Sequence, residues 1–411
     1  MRVDKLDELK HNIDRQTDRQ TDRQTGRNYG IDALRIISML MIVLLHVLDK
    51  GGILKNTTLL SAKYETAWFL EISAYCAVNC YALISGFVGI NSKHRYSSLV
   101  LLWIRVAFYS VGIAGAFKLF MPDLFNVKGL LTFFFPVLKN QYWYFSSYCL
   151  LFFFIPVLNI AIHQLSRNKL RVFLIVSLFF TSIVLPVFAG VGFSSDIWQL
   201  ENGYSPLWLM IVYLIGGYIR KYDILKAVKP IWFLLAYLGC VILTWLSQWI
   251  IQVVTLKVFG ETKYENMWIS YLSITVLLCA VSLLLYFSRI KIPHALSKVI
   301  LFAAPLAFSV YLIHEHPLII EHLMMYQFSW TTDLNTFVMV PAIIGIALCI
   351  FVACVMIDAV RDALFKALKL KQRLNRFEDR IKNRLTKKDA CGRSEERRVG
   401  KECRSRWSPY H

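Results

Sequence analysis

Residues 28–52 read NYGIDALRIISMLMIVLLHVLDKGG, and this stretch decides the fold. It is apolar for long enough to cross a bilayer, which takes about 20 helical residues. Yet it carries an arginine, Arg35, toward one end and a histidine, His46, toward the other. An ionisable side chain at the centre of a lipid-spanning helix costs roughly 2.5–3.5 kcal/mol on insertion scales, so such groups usually face protein or water. The eleven steps from Arg35 to His46, at 100° each, return to within about 20° of the start and rise about 16 Å. The two side chains therefore share one face at two depths, as parts of a site would. The competing reading has Arg35 snorkelling to the headgroups beside Asp32, one turn back, with His46 at the opposite interface.

The rest of the chain agrees with a membrane reading. Of its 411 residues 56% are hydrophobic and only 18% charged, with a mean hydropathy of +0.49. Soluble domains carry nearer a quarter charged residues. Apolar segments recur near 31–49, 68–89, 98–120, 142–163, 171–189, 205–219, 231–256, 267–288, 299–325 and 336–360. We expect an all-α, polytopic integral membrane protein with about ten transmembrane helices. The stretch LLTFFFPVL, 130–138, is too short to span and contains Pro136, so it reads as a re-entrant or interfacial piece. The first 28 residues are polar and the first apolar segment continues into others, so no cleavable signal is expected.

A formal charge of +19 would ordinarily raise the question of nucleic acid. Here its distribution answers otherwise. Residues 366–411 hold sixteen Lys/Arg against six Asp/Glu, and most of the remainder lies in short loops between spans. One set of loops holds Lys93 and Arg95; Arg167, Lys169 and Arg171; Arg220, Lys221, Lys226 and Lys229; and Arg289, Lys291 and Lys298. The opposite set is poorer in basic residues, which predicts a plasma-membrane protein with both termini cytoplasmic. No nucleic-acid partner is expected. Nine cysteines form no CxxC pair, and seven fall within apolar segments, where they serve as small hydrophobic residues. Neither a disulfide framework nor a metal site follows from that pattern.

The ends differ in character from the middle. Residues 14–25 repeat DRQT three times, with nothing apolar to bury, so residues 1–28 read as a disordered or extraneous extension. The last stretch, 389–411, also reads as extraneous, whereas 361–388 is a basic, helix-prone tail suited to an anionic inner membrane surface. Membrane lipids are thus expected partners at this end as well as around residues 29–360.

Four stretches, in order, carry a resemblance. They are GIDALRIISMLMIVLLHV with its Arg35 and His46, ALISGFVGI at 82–90, QYWYFSSYCLLFFFIPVL at 141–158 and AFSVYLIHEHPLI at 307–319. Together they resemble the membrane acyltransferase family 3 over residues 29–360, and are closest in character to its enterobacterial common antigen O-acetyltransferase subgroup. The resemblance implies an O-acyltransferase that takes an acetyl or other acyl group from acyl-CoA, a donor substrate rather than a resident cofactor. The acceptor it implies is a hydroxyl of a surface polysaccharide or its lipid-linked precursor. His46 takes the family's catalytic role, and a histidine titrating near neutrality suits removal of a hydroxyl proton. Arg35 would hold a donor phosphate or polarise the thioester carbonyl. His314, at a depth comparable with His46, is expected near the acceptor; a hydrogen-bonded core histidine at a proline kink is the alternative. Glu71 could orient a histidine or receive sugar hydroxyls, or be interfacial. Trp143 and Tyr144 suit sugar stacking, against aromatic-belt anchoring. Ser85 and Gly86 suit close helix packing.

The chain departs from the family in one respect. It lacks an Arg-x-x-Arg pair entering the third helix, so Arg95 and Arg105 stand as the donor-binding candidates there. The rival reading is a small-solute transporter, since intramembrane Arg and His also suit a permeation path. No inverted repeat supports it.

Overall fold

The structure is a computed structural model that describes residues 27–123, 132–137, 141–190, 196, 198–264 and 266–384. The expected extensions before Arg27 and beyond residue 388 lie outside the described residues, as do residues 130, 131 and 138 of the expected re-entrant piece. Among the described residues there are helices and turns but no strand.

Helix α1 spans Tyr29–Asp49, capped by Asn28, whose side chain accepts from the Ile31 amide. α2 (Ala62–Tyr75) and α3 (Ala77–Gly89) make one broken span. Then come α4 (Tyr96–Phe120), α5 (Trp143–Gln164), α6 (Arg167–Leu178, prolonged by a π-helical stretch), α7 (Pro206–Tyr222) and α8 (Pro230–Phe259). The last are α9 (Ile274–Phe287), α10 (His294–Ala303), α11 (Ala307–His314) and α12 (Thr336–Ala367).

All ten expected apolar segments contain helix, but not all are long enough to span. Seven spans among the described residues are long and apolar enough, and the α10–α11 pair, bent by 46°, makes an eighth. The expectation of about ten is corrected on length. α7 has 17 residues and α9 has 14, so they reach about 26 and 21 Å, against a hydrocarbon core of about 30 Å. α7 is held between the Ser205 cap and a left-handed Asp223, and residues 267–273, expected to open α9, form turns instead. Both helices lie largely inside the protein, where a short helix need not match the lipid.

α1 is the centre of the bundle and packs against α2, α3, α9, α10, α11 and α12. That placement lets it carry ionisable groups, because its site face meets protein rather than acyl chains. Beside it α3 and α7 cross closely. A Cβ on Gly86 would lie 2.0 Å from the Tyr213 carbonyl oxygen, and one on Gly216 would lie 2.2 Å from that of Leu83. Backbones meet at these two glycines as in small-residue helix crossings, so Gly86 has the packing role its motif suggested.

At the Arg35 end of the bundle a buried ion pair joins α12 to α4. Arg361 donates to Asp358 through Nε (2.8 Å) and Nη2 (2.7 Å), and the Tyr109 hydroxyl donates to Asp358 at 2.6 Å. The chain then turns at Lys369 (φ +52°) into a tail helix over 370–384. This tail docks on the start of α4, which has no side-chain cap of its own. Glu378 accepts from the Ser97 amide at 3.0 Å, Ser97 Oγ donates to Asn375 at 2.7 Å, and Arg95 pairs with Asp379 at 3.4 Å.

Candidate active site

The site is made where α1 meets the end of α11. His46 lies near the last turn of α1, on the face that Arg35 opens. α11 stops at His314, because Glu315 leaves helical geometry (φ −88°, ψ 1°) just before Pro317. The break brings two consecutive side chains to His46. His46 Nδ1 lies 2.9 Å from His314 Nε2 and 3.0 Å from a Glu315 carboxylate oxygen.

The protons on these rings follow from their partners. His314 Nδ1 lies 2.5 Å from the Val310 carbonyl, which can only accept, so that nitrogen carries a proton. The Nε2 of neutral His314 then accepts, and His46 Nδ1–H donates to it. This leaves the lone pair of His46 on Nε2, which no protein hydrogen bond reaches among the described residues. The Glu315 oxygen is close enough for an ion pair yet makes no hydrogen bond, because the Nδ1–H points at His314. When Nε2 takes a proton, a carboxylate already stands beside the new imidazolium. The third element of a serine-protease triad performs the same service.

His46 faces a cavity of about 30 Å³, also lined by Met39, Ile42, Tyr81, Trp143, Tyr144 and Tyr311 among others. Its aromatic wall is pinned. Trp208 donates to Asn79 at 2.9 Å, Asn79 donates to the Tyr271 carbonyl at 2.9 Å, and Trp143 stacks on Tyr271 with ring centroids 6.0 Å apart.

Arg35 lies at the opposite end of α1, between two adjoining cavities of about 300 and 280 Å³. Arg27 and Arg35 both pair with the buried Asp32, at 2.6 and 2.5 Å, and Arg220 lines the smaller of the two over the ring of Phe87. Three guanidinium groups thus line this space, and two of them share one carboxylate. Tyr81 and Phe308 line both the larger Arg35 cavity and the His46 cavity, so they partition the two. The Tyr81 hydroxyl donates to the Arg35 carbonyl at 2.8 Å, which fixes one leaf of that partition to α1.

The structure brings together some of the expected residues and leaves others apart. His46, Trp143 and Tyr144 line one cavity. His314 is buried against His46 and does not line that cavity. Glu71 is buried, does not line the cavity and has one oxygen without a hydrogen bond. Arg95 is engaged with the tail, and Arg105 donates to the Pro305 carbonyl at 3.4 Å, beside the larger Arg35 cavity but not lining it. His316, two residues beyond His314, points away, bonding the Ser110 carbonyl at 3.2 Å and stacking on Phe133.

Sequence reasoning missed Glu315, Arg27 and Arg220. Only the helix break lets Glu315 join His314 at His46; a continuous helix would set the two 100° apart. Arg27 stood at the edge of the polar extension, and Arg220 had been counted as a loop charge. The donor atoms of His46, His314 and Glu315 all lie within 4.8 Å of one another. Three such ligands can hold a metal ion, but their arrangement fits a proton relay better. Two nitrogens bonded to one zinc at about 2.1 Å with tetrahedral angles stand about 3.4 Å apart, wider than the 2.9 Å here.

A helical membrane bundle that holds a histidine with one bare ring nitrogen over an aromatic cavity has the makings of a group-transfer enzyme. The comparison with known families names the group: a family model described as an acyltransferase domain, that of acyltransferase family 3, matches residues 28–357, and the chain belongs to this family. It is a membrane acyltransferase. No curated protein and no solved structure matches the chain. The transporter reading draws no support from these findings.

Proposed function

We propose that the protein transfers an acetyl group from acetyl-CoA to a hydroxyl of a cell-surface glycan or its lipid-linked precursor. The observation that carries this reading is the 2.9 Å contact of His46 Nδ1 with His314 Nε2, on a histidine that lines the cavity and whose Nε2 has no protein partner among the described residues. In this reading the Arg35 end is cytoplasmic. The donor's phosphates meet Arg27, Arg35 and Arg220 in the larger cavities, and its thioester arm passes Tyr81 and Phe308. The acceptor arrives along the wall of Trp143, Tyr144 and Tyr271, whose ring faces suit a sugar.

His46 Nε2 takes the hydroxyl proton as the oxygen attacks the thioester carbonyl. The C–S bond breaks, the proton passes from His46 to the departing thiolate, and an ester and free CoA thiol remain.

The test is transfer from radiolabelled acetyl-CoA in inverted membrane vesicles that contain the acceptor glycan. Alkali-labile label should appear with the native protein and fall by about 10³-fold in His46→Ala at matched expression. Failure of both to transfer, with acceptor present, would refute the reading.

A further inference from the structure

Attack on a thioester places negative charge on the carbonyl oxygen, and the base does nothing for that charge. A preorganised hydrogen-bond donor aimed at the oxyanion is usually the largest single contributor in such reactions. None of the residues assigned so far supplies one. Arg35 lies about 16 Å of helix rise from His46, and His314 and Glu315 are spent on the other side of its ring.

The cavity holds a candidate. Tyr311 lines it together with His46, is 4% exposed, and its hydroxyl has no hydrogen-bond partner. A buried phenol left unpaired is costly, so a group in that state calls for an explanation. Its chain neighbours in α11 are ordinary core residues: Val310 and Leu312 are fully buried and apolar.

A second observation points to the same place. α5 begins at Trp143 with no side-chain cap, although 22-residue helices ordinarily have one or more of their first amides satisfied. Trp143 and Tyr144, its first two residues, both line the cavity. α5 is held in this position by Tyr142, whose hydroxyl donates to the Leu312 carbonyl at 2.9 Å and whose ring lies 5.8 Å from that of Tyr311. The positive end of a helix and an unspent O–H donor thus converge on a cavity that also contains the base.

We propose that Tyr311 Oη–H, backed by the uncapped amino end of α5, is the oxyanion hole of the acyl transfer. The inference rests on the transfer reading. As the acceptor oxygen adds to the thioester carbon, the C=O π pair moves onto the carbonyl oxygen, and Tyr311 donates its hydrogen bond there without giving up the proton. When the carbonyl re-forms the C–S bond breaks, and the thiolate takes the proton that His46 removed.

The test replaces Tyr311 by Phe, which removes the hydroxyl and little else. We expect kcat for acetyl transfer to fall about 10²–10³-fold with KM for acetyl-CoA changed by less than about threefold. A second readout does not depend on turnover. The ketone analogue of acetyl-CoA, with CH₂ in place of sulfur and a ¹³C carbonyl, should show a lowered C=O stretch when bound to the native protein and to His46→Ala. The shift should vanish in Tyr311→Phe. A kcat within threefold of native, or an unchanged carbonyl stretch in Tyr311→Phe, overturns the assignment while leaving acyl transfer intact. Absence of transfer by the native protein overturns the transfer reading and this inference with it. Should Tyr311→Phe fail to accumulate, 3-fluorotyrosine at 311 serves instead: a more acidic donor should lower the carbonyl stretch further, and no change from tyrosine overturns the proposal.

Discussion

The two ends of α1 are built to opposite specifications. Around Arg35 there are two cavities of about 300 and 280 Å³, three guanidinium groups and one carboxylate. Around His46 the space shrinks to about 30 Å³, closed by rings, and the polar groups are uncharged or paired with one another. In the proposed transfer, a wide cationic chamber receives a large, hydrated anion and leaves it mostly solvated. A narrow aromatic one admits a few atoms and strips their water, which strengthens every electrostatic contact made there. One helix can serve both because its two ionisable residues sit at different depths of a single face. The contrast separates binding from chemistry along the membrane normal.

Substitutions at the two ends should accordingly differ in kind. The largest effect after loss of His46 itself is expected at Glu315. Glu315→Gln keeps the shape and removes the charge beside Nδ1, so kcat should fall about 10²-fold with KM for acetyl-CoA nearly constant in initial-rate assays. If KM moved instead, Glu315 would belong to binding and the separation would fail. Next comes Arg35→Ala, which should raise KM for acetyl-CoA about tenfold, the scale of one lost hydrogen bond to a charged group, while kcat holds within about threefold. A collapse of kcat would show that Arg35 reaches the thioester carbonyl and that the two ends work as one.

The smallest effect lies outside both ends. Glu378→Ala removes the side chain that caps α4 and should cost about 1 kcal/mol, read as earlier thermal unfolding in detergent. Burial opposes ionisation of this carboxyl, but bonds from Lys382 and Ser97 outweigh it and hold it down at about 2. A depressed carboxylate stabilises above its unfolded pKa of about 4.3 and loses that contribution as pH falls toward 2. Hydrogen-exchange protection of 370–384 should therefore persist from pH 8 to 5 and fade below about 4.

The chain displayed its central helix openly, since a 100° repeat fixes which face Arg35 and His46 share whatever surrounds them. The segments around it were legible as apolar runs, but their lengths were not, because hydropathy does not mark where Asp223 turns left-handed or where 267–273 abandon the helix. The relay was half visible. His314 carried a motif, whereas Glu315 becomes a partner only through a break whose geometry depends on Pro317 and on contacts far away in sequence. The surroundings of the arginines near the Arg35 end were hidden for a similar reason. Arg95 looks free in the sequence, and its partner Asp379 is supplied by a tail that must first fold back.

That tail has a consequence in time. Ser97 and the Glu378 that caps it stand 281 residues apart. At synthesis rates of about 5–20 residues per second, the third span waits on the order of tens of seconds for its cap. During that interval α4 sits in the bilayer with its leading amide unanswered, and its neighbour Arg95 has yet to meet Asp379. A chain cut short between residues 368 and 377 keeps every span and the whole histidine relay, yet never closes this contact. Completion of translation is thereby written into the packing of a helix made near the beginning.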